Sequence, residues 1–274
     1  MVDIGKKFLL HKSIANNLYD YQKEGVFWFW KLYKKGCGGI LGDDMGLGKT
    51  IQVIAFISGM FDAEHIKTVV IVAPLAVLVN WENEFKKWAP GIRVKSFHGN
   101  SKKQREANLE KVQRSRGVLL TTYGMLVSNA DVLGGEKYDD GPFTWGYIIL
   151  DESHKIKNPN KTTKCIRSIP ANYRYICTGT AVQNNVMDMW SLFDYTHQGE
   201  LLGTRKTFEI EFAKPIVRAR EKDAKKLPNF HFLKGFWSTK SVKACLSICF
   251  MIMDLLVIKE IKISYIFFSP LFSH

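Results

Sequence analysis

The runs VVIVA at Val69–Ala73 and YIIL at Tyr147–Leu150 are apolar at consecutive positions. Successive side chains of a strand point to opposite faces, so strands built from such runs need apolar cover on both sides. Parallel strands sandwiched between helices meet that demand. The pattern predicts strands at Gly39–Leu41, Thr68–Ala73, Val94–Phe97, Val118–Thr121, Tyr147–Leu150 and Arg174–Cys177. It predicts helices over Leu18–Lys34, from about Lys49 onward, and over Val77–Trp88 and Lys102–Arg114. The alternation implies an α/β fold with a doubly wound, mostly parallel sheet, in a domain of roughly 200 residues.

Composition narrows the function classes. The 274 residues are 46% hydrophobic and 24% charged, which excludes whole-chain disorder. No glycine triplet or heptad runs through the chain, which excludes collagen and coiled coil. Lysine plus arginine is 39 against 26 acidic residues, a net charge of +13. That surplus favours polyanions, nucleic acid first and an anionic membrane second. After residue 228, Lys234, Lys240, Lys243, Lys259 and Lys262 face Asp254 and Glu260, so most of the surplus lies earlier. Some of it, such as Lys102, Lys103 and Lys111, reads simply as solvated helix faces. Cys37, Cys165, Cys177, Cys245 and Cys249 form no CxxC pair, which argues for a reduced, intracellular protein. The N-terminus lacks the features of a secretory signal. No membrane association is expected, because the best apolar stretch, Ala244–Ile258, is interrupted by Asp254 and falls short of the roughly 20 residues a span needs.

Two motifs carry chemistry. Gly42–Thr50 (GDDMGLGKT) follows a strand and opens a helix, the context of a phosphate-binding loop. Gly46 and Gly48 let backbone N–H groups curl toward phosphate oxygens, and the helix N-terminus adds its dipole. Lys49 can reach the β- and γ-phosphates of ATP, and the Thr50 hydroxyl can ligate Mg2+. The strict pattern has glycine where Asp43 stands. The plainer alternative is a glycine-rich turn with a surface lysine. About a hundred residues on, an apolar strand ends in Asp151 and Glu152. Asp151 can hold the magnesium and Glu152 can orient or activate the attacking water. By itself this pair is no more than an acidic strand end; with the phosphate loop it gains meaning. In an open sheet both sit at the carboxyl ends of strands.

Gly42–Thr50, Asp151–His154 (DESH) and Thr178–Asn185 (TGTAVQNN) together resemble the Swi/Snf-type branch of the superfamily-two helicase-like ATPases. The segment DMGLGKT is distinctive for that branch, and the third motif disfavours a kinase or GTPase. Trp190–Asp194, Gln198–Gly203, Lys206–Phe208 and Arg218–Ala224 are similar to its excision-repair-six-like members. The likeness covers about Leu18 to Lys225.

The resemblance implies a RecA-like lobe of an ATP-dependent double-stranded DNA translocase, with ATP and Mg2+ as cofactors. It implies nucleotide contacts from Asp43, Asp44, Met45, Gly46, Leu47, Gly48, Lys49 and Thr50, and adenine recognition by Gln22, which could otherwise be a helix-surface glutamine. It places Pro74, Asn80, Trp81, Thr121, Thr122 and Tyr123 on segments that hold DNA phosphates without reading sequence. Core packing is an equal alternative for Trp81. His154, Thr178, Gly179, Thr180, Gln183 and Asn184 fall in the motif that couples nucleotide state to movement. Double-stranded DNA is the implied partner, with chromosomal proteins and a mitotic kinase beside it, in the nucleus or on chromosomes with a cytoplasmic pool.

Ser153 and Ala181 depart from the usual alanine and proline of the pattern. The expected division is an arm over 1–17, the ATP-binding lobe over 18–226, and a tail over 227–274 that matches no family motif, as truncation or read-through would leave it. No second lobe with its arginine fingers is legible; Arg218 and Arg220 do not match the finger motif. The alternative reading is therefore a nucleotide- and DNA-binding fragment without turnover of its own, which leaves open whether this chain alone is an enzyme.

Overall fold

The computed structural model describes residues 1–5, 7–99, 101–135, 143–152, 161–179 and 186–214. Six parallel strands form the sheet: β3 (Gly39–Leu41), β4 (Thr68–Ala73), β5 (Val94–Phe97), β6 (Gly117–Thr122), β7 (Trp145–Asp151) and β8 (Ala171–Cys177). Their order is β3-β8-β7-β4-β6-β5, and every neighbouring pair is parallel. Each expected strand is present within three residues of its expected limits. A smaller antiparallel pair joins β1 (Val2–Asp3) to β2 (Leu9–Leu10).

The apolar runs do what their composition demands. Val69, Ile71 and Ala73 of β4 pack into one core with residues of α2 (Asp20–Lys34), α3 (Lys49–Asp62) and α4 (Leu75–Trp88). Val70 and Val72 pack into a second core on the other face. That core receives α5 (Lys102–Ser115), α6 (Tyr123–Ser128), α7 (Ala130–Gly134), α8 (Lys161–Ser168) and α9 (Val186–Thr196). Two-sided burial of alternate residues is the reason these strands carry no polar face.

Both ends of the described chain hold structure that was not legible in advance. The segment expected as an arm carries α1 (Lys12–Ala15) and buries Phe8, Leu10, Ile14 and Ala15 in the first core. The Phe8 ring stacks 4.9 Å from Trp30 and 5.9 Å from Phe56. On the other side, α9 is followed by α10 (Arg205–Phe208) and a π-helical turn, Glu209–Ala213. Lys102, Lys103 and Lys111 are exposed as expected, and the i,i+4 pairs on their helix, such as Arg114–Glu110 at 2.9 Å, are surface pairs of small energetic weight. Among the described residues no helix is long and apolar enough to cross a membrane; Ala244–Ile258 lies outside them.

Candidate nucleotide site

The loop from β3 to α3 turns on two glycines in the left-handed region, Gly46 at φ 89° and Gly48 at φ 75°. A Cβ at Gly48 would overlap Gln22 Nε2 and press on Ile51, so only glycine fits there. Gly48 is the N-cap of α3 and no side chain caps that end. The helix N-terminus is thus presented to an anion. Lys49 Nζ donates to the main-chain oxygens of Asp43 and Asp44, both at 2.9 Å. Both partners belong to the loop itself.

Asp43 owes its place to the interior. It is buried, and its Oδ2 accepts from Gln52 Nε2 at 3.0 Å. Burial pushes its carboxyl above the usual range, against the pull of the Gln52 amide. Gln52, fully buried on α3, was missed by sequence reasoning. Its signal was a lone amide in the apolar run IQVIAFI. Gln22 is also buried, and its amide is engaged at both ends. Its Oε1 accepts from Tyr19 N at 3.1 Å, and its Nε2 donates to Leu47 O at 3.3 Å. In this conformation it braces the phosphate loop against α2, and reading adenine requires its remaining donor and acceptor capacity.

The end of β8 lies between the two motif-bearing strands and is tied to both. Thr178 N donates to Leu41 O at 3.0 Å, and Glu152 N donates to Cys177 O at 3.0 Å. Thr178 is fully buried, and a Cβ on Gly179 would come 3.0 Å from Met45 Cγ of the phosphate loop. Cys177 and the two residues after it, Thr178 and Gly179, therefore touch both halves of the site between them. Ser153, His154, Thr180, Ala181, Gln183, Asn184, Arg218 and Arg220 lie outside the described residues.

Asp151 closes β7, half-buried, and is gripped by two rings. Trp81 Nε1 donates to its Oδ2 at 2.8 Å, and the Tyr123 hydroxyl donates to its main-chain oxygen at 2.7 Å. Burial pushes the Asp151 carboxyl up, while the Trp81 N–H favours the charged form. Burial, then the charge of Asp151, raises the Tyr123 phenol well above its usual range. Glu152 follows at φ 50°, an uncommon conformation for a side chain of its kind.

These contacts redistribute the residues expected on DNA. Trp81 and Tyr123 are 1% and 3% exposed, and Thr121 is fully buried with its Oγ1 donating to Phe97 O at 3.0 Å. As placed, all three direct their polar atoms inward, away from any DNA. Asn80 is exposed, and Pro74 and Thr122 are half-buried; the Thr122 hydroxyl accepts from Met125 N at 3.2 Å and caps α6.

The donor set fits a magnesium nucleotide. The Thr50 hydroxyl and Asp151 carboxylate are hard oxygen ligands, and few protein ligands suffice for a cation that keeps waters and binds phosphates. Among the described residues no group of three or more histidine, cysteine or acidic side chains is placed to hold a metal.

Residues 21–236 match the SNF2-related domain. The chain is 55% identical over 217 residues to the DNA excision repair protein ERCC-6-like of Danio rerio, covering 78% of this chain and 15% of that protein. It is 51% identical over 218 residues to the Homo sapiens protein of the same name, covering 79% of this chain and 17% of the relative. Among solved structures it resembles the Sulfolobus solfataricus SWI2/SNF2 ATPase core in complex with dsDNA, with a TM-score of 0.66 and 35% identity. That likeness covers 78% of this chain and 42% of the core. The chain thus spans less than a fifth of the length of these curated relatives.

Proposed function

This chain belongs to the family of SNF2-related domains, and from that premise we propose that it is the ATP-binding lobe of an ATP-dependent double-stranded DNA translocase. Its fold is that of the RecA-like SWI2/SNF2 ATPase core, and the family is one of helicase-like ATPases. One observation carries the finer reading: the phosphate loop, the tip of β8 and Asp151–Glu152 converge at the carboxyl ends of three adjacent strands. In this reading Lys49 exchanges two carbonyls for phosphate oxygens, and Gly46–Thr50 cradle the phosphates. Thr50 and Asp151 would hold Mg2+, which would supply charge neutralisation on the phosphates. Glu152 orients the attacking water. Thr178 and Gly179 relay the state of the loop, together with His154, Thr180, Gln183 and Asn184.

Double-stranded DNA as substrate is supported by the related core solved with it. Asn80, Pro74 and Thr122 are the members of the two expected segments left with surface to offer. They would hold one strand by its phosphates, with binding that weakens steeply as salt rises. Chromosomal proteins, a mitotic kinase and a nuclear or chromosomal location rest on the sequence resemblance alone; the names of the relatives support only a link to DNA excision repair. A second reading is a nucleotide- and DNA-binding fragment without turnover of its own; the alignment covers 42% of the related ATPase core.

The test is ATP binding and DNA-stimulated hydrolysis by this chain beside Lys49→Ala and Glu152→Gln. Nucleotide binding that Lys49→Ala weakens is the expected result; binding indifferent to Lys49→Ala refutes the reading. A DNA-stimulated rate lost in both variants makes the chain a motor by itself. Background hydrolysis with retained nucleotide and DNA binding selects the fragment.

A further inference from the structure

The two segments expected on DNA do not end at the surface. Each sends one ring inward, and both rings end on the same residue. Trp81 lies on α4, which follows β4; Tyr123 opens α6, which follows β6. Their donors meet Asp151 from two directions, one on the carboxylate and one on the main chain, at 2.8 and 2.7 Å. Along the sequence these partners are 70 and 28 residues apart. The outer surfaces of the same segments are open. Leu75 and Val79 of α4 are 59% and 65% exposed, Asn80 beside Trp81 is exposed, and so is Gly124 beside Tyr123.

An indole N–H is a donor only, and a buried one usually finds an acceptor, although that of Trp28 has none among the described residues. A main-chain carbonyl serves that need for Trp145, whose Nε1 donates to Leu133 O at 2.8 Å. Trp81 instead takes one carboxylate oxygen of the residue that is to hold magnesium. That bond restrains the carboxylate's rotation; the main chain of Glu152 also favours the charged carboxylate, and a carboxylate has lone pairs beyond these for a cation. The Tyr123 hydroxyl fixes the main chain beneath it. Partners that orient a metal ligand contribute to metal affinity without touching the metal.

We propose that Trp81 and Tyr123 are positioning residues, a two-ring clamp that presents Asp151 to magnesium and ties the metal site to the two DNA-facing segments. This rests on the reading of the loop and Asp151 as a magnesium-nucleotide site. It assigns the buried members of those segments a place in the nucleotide half of the lobe.

The test uses the full chain and a fluorescent N-methylanthraniloyl ADP, with affinity measured in EDTA and across a Mg2+ series. Trp81→Phe keeps a ring and removes the N–H; Tyr123→Phe removes only the hydroxyl. Trp145→Phe, which deletes an equivalent buried indole bond, is the control. The clamp requires that Trp81→Phe raise the half-saturating Mg2+ about 10-fold, the lower end of the effect of such partners, and that Tyr123→Phe, which loses a bond to the main chain and not to the carboxylate, raise it about 3-fold, below that range. Affinity in EDTA stays at the wild-type value for both, and Trp145→Phe moves neither quantity. A wild-type Mg2+ dependence in either clamp variant overturns the proposal, as does an equal shift in Trp145→Phe. Should Trp81→Phe fail to fold, Tyr123→Phe decides. If the wild-type chain binds the nucleotide no better with Mg2+ than in EDTA, the nucleotide-site reading falls and the clamp falls with it. Loss of the clamp alone leaves wild-type Mg2+ dependence intact.

Discussion

At Gly46–Lys49 the positive φ angles fall on glycines and the ammonium rests on main-chain carbonyls. At Asp151–Glu152 the positive φ falls on a glutamate, and the carboxylate rests on a buried indole. Met45 in the loop is 78% exposed, whereas the rings that hold Asp151 are almost wholly buried. In the loop the lysine rests on two carbonyls, while Asp43 and Leu47 are braced by Gln52 and Gln22. At the strand tip the contacts run to two buried rings. The lysine contacts are the ones a phosphate could replace, and the ring contacts are the ones a ligand would leave in place.

The largest expected effect tests that difference in stability. Trp81→Ala empties a packed site and removes a bond to a buried carboxylate, so it should cost about 3–5 kcal/mol, read by urea unfolding. Met45→Ala in the loop should stay within about 0.5 kcal/mol. Comparable losses at the two positions break the comparison. Next in size, Lys49→Ala should weaken nucleotide binding by about 10–100-fold, the scale of lost charge-assisted hydrogen bonds. Its unfolding midpoint should stay near that of the wild-type chain. A large drop in stability would mean that the two carbonyl bonds hold the loop together rather than keep the lysine in reserve.

The same difference explains what could be read in advance. The loop was legible because phosphate chemistry demands glycine, lysine and threonine at fixed spacing, all within Gly42–Thr50. The strands were legible because two-sided burial writes itself as consecutive apolar residues. The partners of Trp81 and Tyr123 were not, because each lies tens of residues away and nothing local distinguishes an indole that meets a carboxylate from one that meets a carbonyl. Gln22 was assigned to adenine by motif, while its bonds to Tyr19 and Leu47 depend on how α2 meets the loop. The first seventeen residues hid their packing for another reason: strands of two residues and a helix of four carry no periodicity.

Asp43 gives a mid-sized prediction within the loop. Its folded-state carboxyl is raised above the ordinary value of 3.8, so ionisation near neutral pH works against the fold. Asp43→Asn keeps an acceptor for Gln52 and removes the buried charge. It should gain on the order of 1 kcal/mol at pH 7. The sign with pH is fixed: as pH falls through the raised folded value, the wild-type carboxyl takes up its proton and loses its penalty. The advantage of Asp43→Asn should therefore shrink on acidification. An advantage independent of pH would trace the gain to hydrogen bonding alone.

The smallest expected effects concern backbone conformation, and they should have opposite signs in the two halves. Gly46→Ala places a Cβ in open space, yet φ 89° is unfavourable for alanine, so it should lose about 1 kcal/mol. Glu152→Gly relieves a left-handed glutamate at φ 50°, a gain of about 1–2 kcal/mol. The extra freedom of glycine in the unfolded chain offsets about 0.5–1 kcal/mol of that. The net should be a stabilisation of about 0–1.5 kcal/mol, with any hydrolysis lost and nucleotide binding kept. Glu152→Gln retains the conformation and loses the carboxylate, so it should lose hydrolysis without the gain in stability. If Glu152→Gly destabilises the fold, the glutamate side chain holds the strand tip together, and the tip is built for packing rather than for placing a carboxylate where water is to be activated.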